Sequence, residues 1–305
     1  MARPPEGAGL TMSELEGHIA GLPIWQGAVR LEPLLGGLSN ISFVATDRSG
    51  KYVVRTGKDY PFHHVFRERE IMTARAAFKA GFAAEVVYDE PGLMVSRFIE
   101  GRVLGAADVQ ARIEPVARLI RRFHDEMPNR VTGPAFIFWV FHVVRDYANT
   151  LRQSKNPLIA RLPELLEINE QLESVQAPLR VKFGHNDLLP ANLIDDGTRL
   201  WLIDFEYAGF NTAMFDLAGL ASNAGFDAAQ SAALLEAYFG HPPTDDVLQS
   251  HAAMQCASLL REALWGLVSE LFLKAPGADY DSYAKENLAR FDAALAAYHG
   301  SYGKA

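Results

Sequence analysis

The sequence predicts an α+β fold in two lobes: a small β-rich N-terminal lobe over residues 1–98 and a larger, mainly helical lobe over residues 99–305. Three observations lead there. A chain of 305 residues has length for about two domains, each able to bury its own core. Up to residue 98 it breaks into short alternating runs split by Gly- and Asp-rich turns, the pattern of half-buried strands. Beyond Gly101 the apolar residues return at helical spacing instead.

Composition narrows the class of activity. Hydrophobic residues make up 49% and charged residues 22%, an ordinary globular mixture. No apolar run approaches the ~20 residues that a membrane-spanning helix needs, and the opening M-A-R-P-P-E-G-A-G lacks the apolar core of a signal peptide. The single cysteine, Cys256, excludes an internal disulfide and suits a reducing, cytoplasmic location. It lies in an apolar helical pattern and reads as an inert buried thiol. A formal charge of −8 argues against a nucleic-acid footprint and is congenial to a cationic small-molecule partner.

The elements follow in order. Residues 1–12 are expected to be loose, and Ser13-Glu14-Leu15-Glu16 has the spacing of a capping box that opens a short helix. Strands are expected over 29–35, 41–46 and 52–55, separated by Gly36-Gly37 and by Asp47-Arg48-Ser49-Gly50. This β-meander has L-G-G-L-S-N as its first turn, and two adjacent glycines suit an ordinary hairpin. A helix over 66–80 closes at Gly81, a C-cap residue. Two more strands, 86–88 and 93–98, flank Asp89-Glu90-Pro91-Gly92, a strong turn signal. Helices then follow over 107–124, 137–153 and 163–176. His124 reads as a structural histidine near a helix end. Phe136, Phe138, Trp139, Phe141 and His142 fall at helical spacing and read as core. Further helices are expected over 228–239, 245–273 and 282–298. No repeat or low-complexity segment interrupts the chain.

The chemistry lies between Leu179 and Asp204. The alternating Leu179, Val181, Phe183 and the later Leu200, Leu202 read as short strands, so Asp187, Asn192 and Asp204 fall around the mouth of a hairpin-like unit. An Asp able to take a hydroxyl proton, with an Asn and a second Asp able to hold Mg²⁺, is the minimal equipment for phosphoryl transfer. Hard oxygen donors suit Mg²⁺, which binds through one or two carboxylates plus substrate phosphates. His185, two residues before Asp187, is a candidate for the catalytic set: a metal-ligand or general-base role is open to it, but orienting the loop through hydrogen bonds to neighbouring backbone is the favoured job.

H-N-D-L-L-P-A-N followed by L-I-D-F-E-Y resembles the catalytic and metal-binding segments of the choline/ethanolamine kinases, within the aminoglycoside-phosphotransferase-like kinases. These share with protein kinases an Asp…Asn catalytic loop and a later metal-binding Asp, but keep His-x-Asp where protein kinases have His-Arg-Asp. The likeness is strongest from Phe183 to Ser222 and weakest at the two ends. It implies a protein-kinase-like fold, an ATP·Mg²⁺ requirement and an alcohol acceptor, most directly choline or ethanolamine. It further implies that Gly36, Gly37, Ser39 and Asn40 approach the nucleotide phosphates, that Arg55 pairs with them, and that Glu70, with Glu68 as fallback, partners Arg55. Residues 97–101 would connect the lobes. Asp204 would bind metal with Asn192, Glu206 would add a carboxylate, and Asp216 would anchor the catalytic loop. Tyr207, Trp265 in A-L-W-G-L-V-S and Tyr283 in D-Y-D-S-Y-A-K would line the acceptor pocket, where each aromatic face over a quaternary ammonium contributes roughly 0.5–2 kcal/mol. The chain departs from the family at Val268, where a second aromatic is common, and at Ser222-Asn223, where eukaryotic members carry an acidic substrate contact. The source of negative charge in the pocket is left open by that departure.

Aminoglycoside or thiamine phosphorylation on the same fold is the alternative, since fold does not fix function. A non-catalytic nucleotide-binding module is the rival from another class. It is disfavoured because the catalytic Asp and both metal ligands are present. A metallohydrolase built on His185 and Asp187 lacks a second histidine cluster.

Overall fold

A computed structural model describes residues 11–34, 40–134, 136–152, 154–273 and 278–303. The chain divides into two compact units, Met1–Lys58 with Glu85–Phe98, and Asp59–Ala84 with Ile99–Ala305. The first unit ends at the residue where the sequence divides the lobes, but the second takes in residues 59–84. The physical reason lies in that segment's bonds: Leu202 N donates to Phe82 O at 2.9 Å, and Arg67 pairs with Glu206.

In the first unit, helix α1 (Met12–Ala20) precedes a five-stranded antiparallel sheet of β1 (Arg30–Leu34), β2 (Ile41–Asp47), β3 (Gly50–Thr56), β4 (Val86–Glu90) and β5 (Leu93–Arg97). The strand order is β1-β2-β3-β5-β4. The capping box sits two residues earlier than the sequence spacing suggested: Thr11 caps Glu14 N, and the Glu14 carboxylate reaches back to Thr11 N at 2.8 Å. One sheet face alternates inward, so Phe43, Ala45, Tyr52, Val54, Leu93 and Val95 form a core with Leu15 and Ile19 of α1.

The second unit holds α2 (Arg67–Lys79), β6 (Arg102–Val103), α3 (Ala106–Gln110), α4 (Ile113–Glu126), α5 (Val140–Leu151) and α6 (Leu162–Ser174). The catalytic segment follows as β7 (Val181–Gly184), β8 (Leu193–Asp195), β9 (Leu200–Leu202) and β10 (Gly209–Thr212), then α7 (Ala213–Ala224), α8 (Ala228–Phe239), α9 (Asp245–Phe272) and α10 (Tyr280–Tyr302). The expected strands at 179–183 and 200–202 do form, but they do not make one hairpin. β7 pairs with β10, and β9 with β8 in a three-stranded sheet with β6, all antiparallel, so the β8–β9 pair is nested in the chain between β7 and β10, and the catalytic loop joins β7 to β8.

Three helices differ from the sequence reading, and the first, expected over 107–124, is broken into α3 and α4. The 137–153 pattern is helical only from Val140, because Phe138 N donates to Phe210 O and Phe210 N to Phe136 O, which holds 136–138 extended. Helix α7 carries no amphipathic stripe to read: nearly every residue from Ala213 to Ala221 is buried, as expected of a helix enclosed on all sides. Helix α9 is similarly enclosed over much of its length, with Arg261 buried among apolar neighbours. It meets α10 at Gly266, where an added Cβ would lie 3.0 Å from Ala284 Cβ and 3.1 Å from Tyr280 O.

Candidate active site

The loop after β7 is held from below by one carboxylate. Asp216 on α7 accepts from His185 N through Oδ2 and from Asn186 N through Oδ1, each at 2.7 Å. His124 Nε2 donates to the same Oδ2 at 2.8 Å, while its Nδ1 bonds Tyr238 OH at 2.8 Å. Burial pushes the Asp216 carboxyl upward, but His124 and the loop N–H groups outweigh that and hold it below the usual carboxylate range. The anchoring role expected of Asp216 and the structural role expected of His124 are therefore one network. Gly184 is required at its entrance, because a Cβ there would meet Asn186 Oδ1 at 2.8 Å and Asp216 Oδ2 at 3.1 Å.

Asn186, which the sequence reading passed over, adopts a left-handed conformation with φ of 61°. Asn tolerates that region better than most residues. Its Nδ2 donates to Tyr207 O and Gly209 O, and its Oδ1 accepts from Asn211 Nδ2. This ties the loop to the segment that carries Glu206 and Tyr207.

Three predicted side chains then gather. Asn192 Nδ2 donates to Asp187 O at 2.8 Å, which leaves its Oδ1 as the outward acceptor. Ile203 N donates to Asn192 O at 3.1 Å, bringing Asp204, itself left-handed at φ of 66°, beside Asn192. Asp187 is half-buried. Burial pushes its carboxyl well above the usual range; Arg261 opposes the shift, and Glu262, Asp204 and Glu206 add to it. These charges are thus close enough to act on one another, the arrangement expected where a cation is to be held. Among the described residues no group of three or more His, Cys, Asp or Glu forms a closed metal cage. An Asn–Asp pair completed by phosphate oxygens is the donor set that Mg²⁺ takes.

His185 is placed differently from a catalytic contact. It is fully buried, and its Nε2–H donates to Ile203 O at 2.9 Å. Burial holds its imidazole below the ordinary value and so neutral. It positions the loop against the Asp204 strand end and does not face an acceptor. Glu206 is also buried, with Oε2 accepting from Arg67 Nη1 at 3.0 Å, and that nitrogen bonds Glu70 Oε2 at 2.6 Å. The Arg67 clamp engages both carboxylates, so the weight of a metal site falls on Asn192 and Asp204. Asn40 and Arg55 lie in the first unit, before and within its central strands. Gly36, Gly37 and Ser39 lie outside the described residues.

The expected acceptor-lining residues come together. Trp265 Nε1 donates to Tyr207 OH at 2.9 Å, and the Trp265 ring meets Tyr283 edge-on at 5.6 Å. Three residues of this cluster were not foreseen. Arg261 is buried, with its guanidinium 4.4 Å above the Tyr207 ring. Glu262 accepts from Tyr283 OH at 2.8 Å and from Arg261. His63 stacks on Trp265 at 5.0 Å and bonds Tyr147 OH and Ser269 Oγ. A signal for two of them was available: Arg261-Glu262 is a charged pair inside the apolar run C-A-S-L-L-R-E-A-L-W, four and three residues before Trp265 and so on its face.

Residues 30–249 match the phosphotransferase enzyme family. The chain belongs to that family. As a phosphotransferase it is similar to the protein LicA of Haemophilus influenzae, 25% identical over 272 residues that cover 86% of this chain and 78% of that one. A probable ethanolamine kinase of Arabidopsis thaliana is 29% identical over 61% of this chain and 54% of its own. Among solved structures, a choline/ethanolamine kinase family protein from Mesorhizobium loti superposes with a TM-score of 0.74 at 29% identity, covering 93% and 94% of the two chains. The choline kinase LicA of Streptococcus pneumoniae shares the fold, with a TM-score of 0.76 at 20% identity over 94% and 99%. The α+β, protein-kinase-like class expected from the sequence is thereby established for this phosphotransferase.

Proposed function

We propose that the protein transfers the γ-phosphoryl group of ATP to the hydroxyl of a small amino-alcohol, choline or ethanolamine. The observation that carries this reading is that the anchored loop of Asp187 and Asn192 is bonded to the end of β9 that carries Asp204, next to a cluster of Tyr207, Glu262, Trp265 and Tyr283. The names of the relatives, choline and ethanolamine kinases, support the acceptor class. A solved LicA structure in complex with AMP supports the nucleotide.

In this mechanism Asp187 orients the acceptor hydroxyl and takes its proton as the oxygen bonds to the γ-phosphorus, and ADP leaves with the bridging oxygen's electrons. A carboxyl raised above its usual range is a stronger base once ionised, which suits the task. Mg²⁺ bound at Asn192 Oδ1 and Asp204 would neutralise charge on the phosphates. His185, Asn186 and Asp216 keep Asp187 in place, since most of the rate in phosphoryl transfer comes from positioning and electrostatics. Gly36, Gly37, Ser39, Asn40 and Arg55 are assigned to the nucleotide.

The test is ADP release from Mg²⁺-ATP with ethanolamine, choline, thiamine and kanamycin as separate acceptors. Release with ethanolamine or choline is expected. Turnover with kanamycin or thiamine alone contradicts the proposal, as does silence with all four.

A further inference from the structure

The cluster of Tyr207, Trp265 and Tyr283 does not present the open aromatic faces that a quaternary ammonium prefers. A trimethylammonium group carries no N–H and is held by open aromatic faces. Here the Trp265 ring is buried and lies on His63, with ring centroids 5.0 Å apart and planes 22° from parallel. The Tyr207 ring already carries the Arg261 guanidinium at 4.4 Å. Position 268, where a second aromatic would stand, is Val268 and fully buried. Tyr283 turns its edge to Trp265, and its hydroxyl is committed to Glu262.

What the wall offers instead is a carboxylate. Glu262 is half-buried on α9, three residues before Trp265 on the same face. Its Oε2 accepts from Tyr283 OH and its Oε1 from Arg261, which fixes the group without exhausting it, since an ionised carboxylate has about four acceptor positions. A chain of contacts ties it to the catalytic loop: Tyr283 OH bonds Glu262, the Tyr283 ring meets Trp265, Trp265 Nε1 donates to Tyr207 OH, and Tyr207 O accepts from Asn186 Nδ2, the neighbour of Asp187. Asn223, at the position where eukaryotic relatives place their acid, is used differently: its Nδ2 donates to Leu188 O at 3.3 Å.

We propose that Glu262 selects an acceptor whose ammonium carries N–H bonds, a primary or secondary amino-alcohol, over a quaternary one. This rests on the amino-alcohol kinase reading and specifies its acceptor. The N–H donates to Glu262 while the hydroxyl, two carbons away, reaches Asp187. Each N-methyl group removes a donor, and the quaternary group desolvates the remaining acceptor positions of Glu262 without filling them.

The test is the methylation series ethanolamine, N-methylethanolamine, N,N-dimethylethanolamine and choline, with the full chain and Mg²⁺-ATP. kcat/KM is expected to fall along the series, by about 10- to 100-fold from first to last, the worth of one charge-assisted hydrogen bond. Glu262→Gln, close to isosteric, is expected to raise the KM for ethanolamine by more than that for choline, so that the ratio between them falls. Choline turned over as well as ethanolamine overturns the inference and leaves the kinase reading standing. An equal loss on both acceptors in Glu262→Gln also overturns it. Turnover of no member overturns both together. The wild-type series needs no variant to fold.

Discussion

Replacing Asp216 with alanine would leave His185 N, Asn186 N and His124 Nε2 without their shared acceptor in a fully enclosed site. Breaking a buried charged network in this way costs about 3–5 kcal/mol, so Asp216→Ala should lower the unfolding free energy by that order in urea titration. A loss below about 1 kcal/mol would contradict the anchoring role. Asp187→Asn should behave in the opposite way. It removes a carboxyl that burial already disfavours in its charged form, so the melting temperature should hold or rise while kcat falls by about 10²- to 10⁴-fold. At this scale Asp187, Asn192 and Asp204 were legible, because their chemistry depends on residue type and spacing. Arg261 and Glu262 left a trace, a charged pair inside an apolar helical run, whereas His63 left none, because nothing local tells that a histidine in a short turn will stack on a tryptophan far along the chain. The backbone hydrogen bond of His185 was legible, since orienting the loop was the job favoured for it over metal ligand or base.

Elements carry a second set of consequences. Burial above all, helped by Arg261 and His64, pushes the His63 imidazole down to about 2, and burial pushes His251 down to about 4, from an ordinary 6.5. Below pH 6.5 the unfolded chain binds protons at these two sites that the folded chain refuses. Stability is therefore complete above that value and lost as pH falls from about 6.5 toward 4, with a slope of at most about 1.4 kcal/mol per pH unit per histidine. Denaturant titrations at pH 7.5, 6 and 5 should show the decline, and His251→Gln should flatten part of it; a flat wild-type profile contradicts the neutral, buried assignment. The α9–α10 contact gives a third expectation. Gly266→Val would press on Ala284 and Tyr280, cost about 1–3 kcal/mol as overpacking does, and raise the acceptor KM by displacing Tyr283. An unchanged KM would separate that contact from the pocket. Strands and amphipathic helices were legible because one face is wet; α7 was not, because its sequence is apolar on every side.

At the scale of the whole chain, the family match ends at residue 249, whereas Glu262, Trp265 and Tyr283 lie beyond it. The catalytic loop and its Asp216 anchor thus lie inside the matched span, while the superposition on the Mesorhizobium loti protein extends over 93% of the chain. The sequence announced the fold class through its change from two-residue to helical periodicity after Gly101. It assigned residues 59–84 to the first lobe, because chain order says nothing of the bonds that Arg67 and Phe82 make with residues near 200. The central claim is that Asp187, Asn192 and Asp204 act together on one phosphoryl group. Phosphorus NMR of the products, with Mg²⁺-ATP and ethanolamine or choline incubated with the wild-type chain and with Asp187→Asn, tests it most directly. The account predicts a phosphomonoester of the amino-alcohol and stoichiometric ADP from the wild type, and neither on the same timescale from the variant. A phosphomonoester formed equally fast by Asp187→Asn, or ADP accompanied only by inorganic phosphate in the wild type, would contradict it.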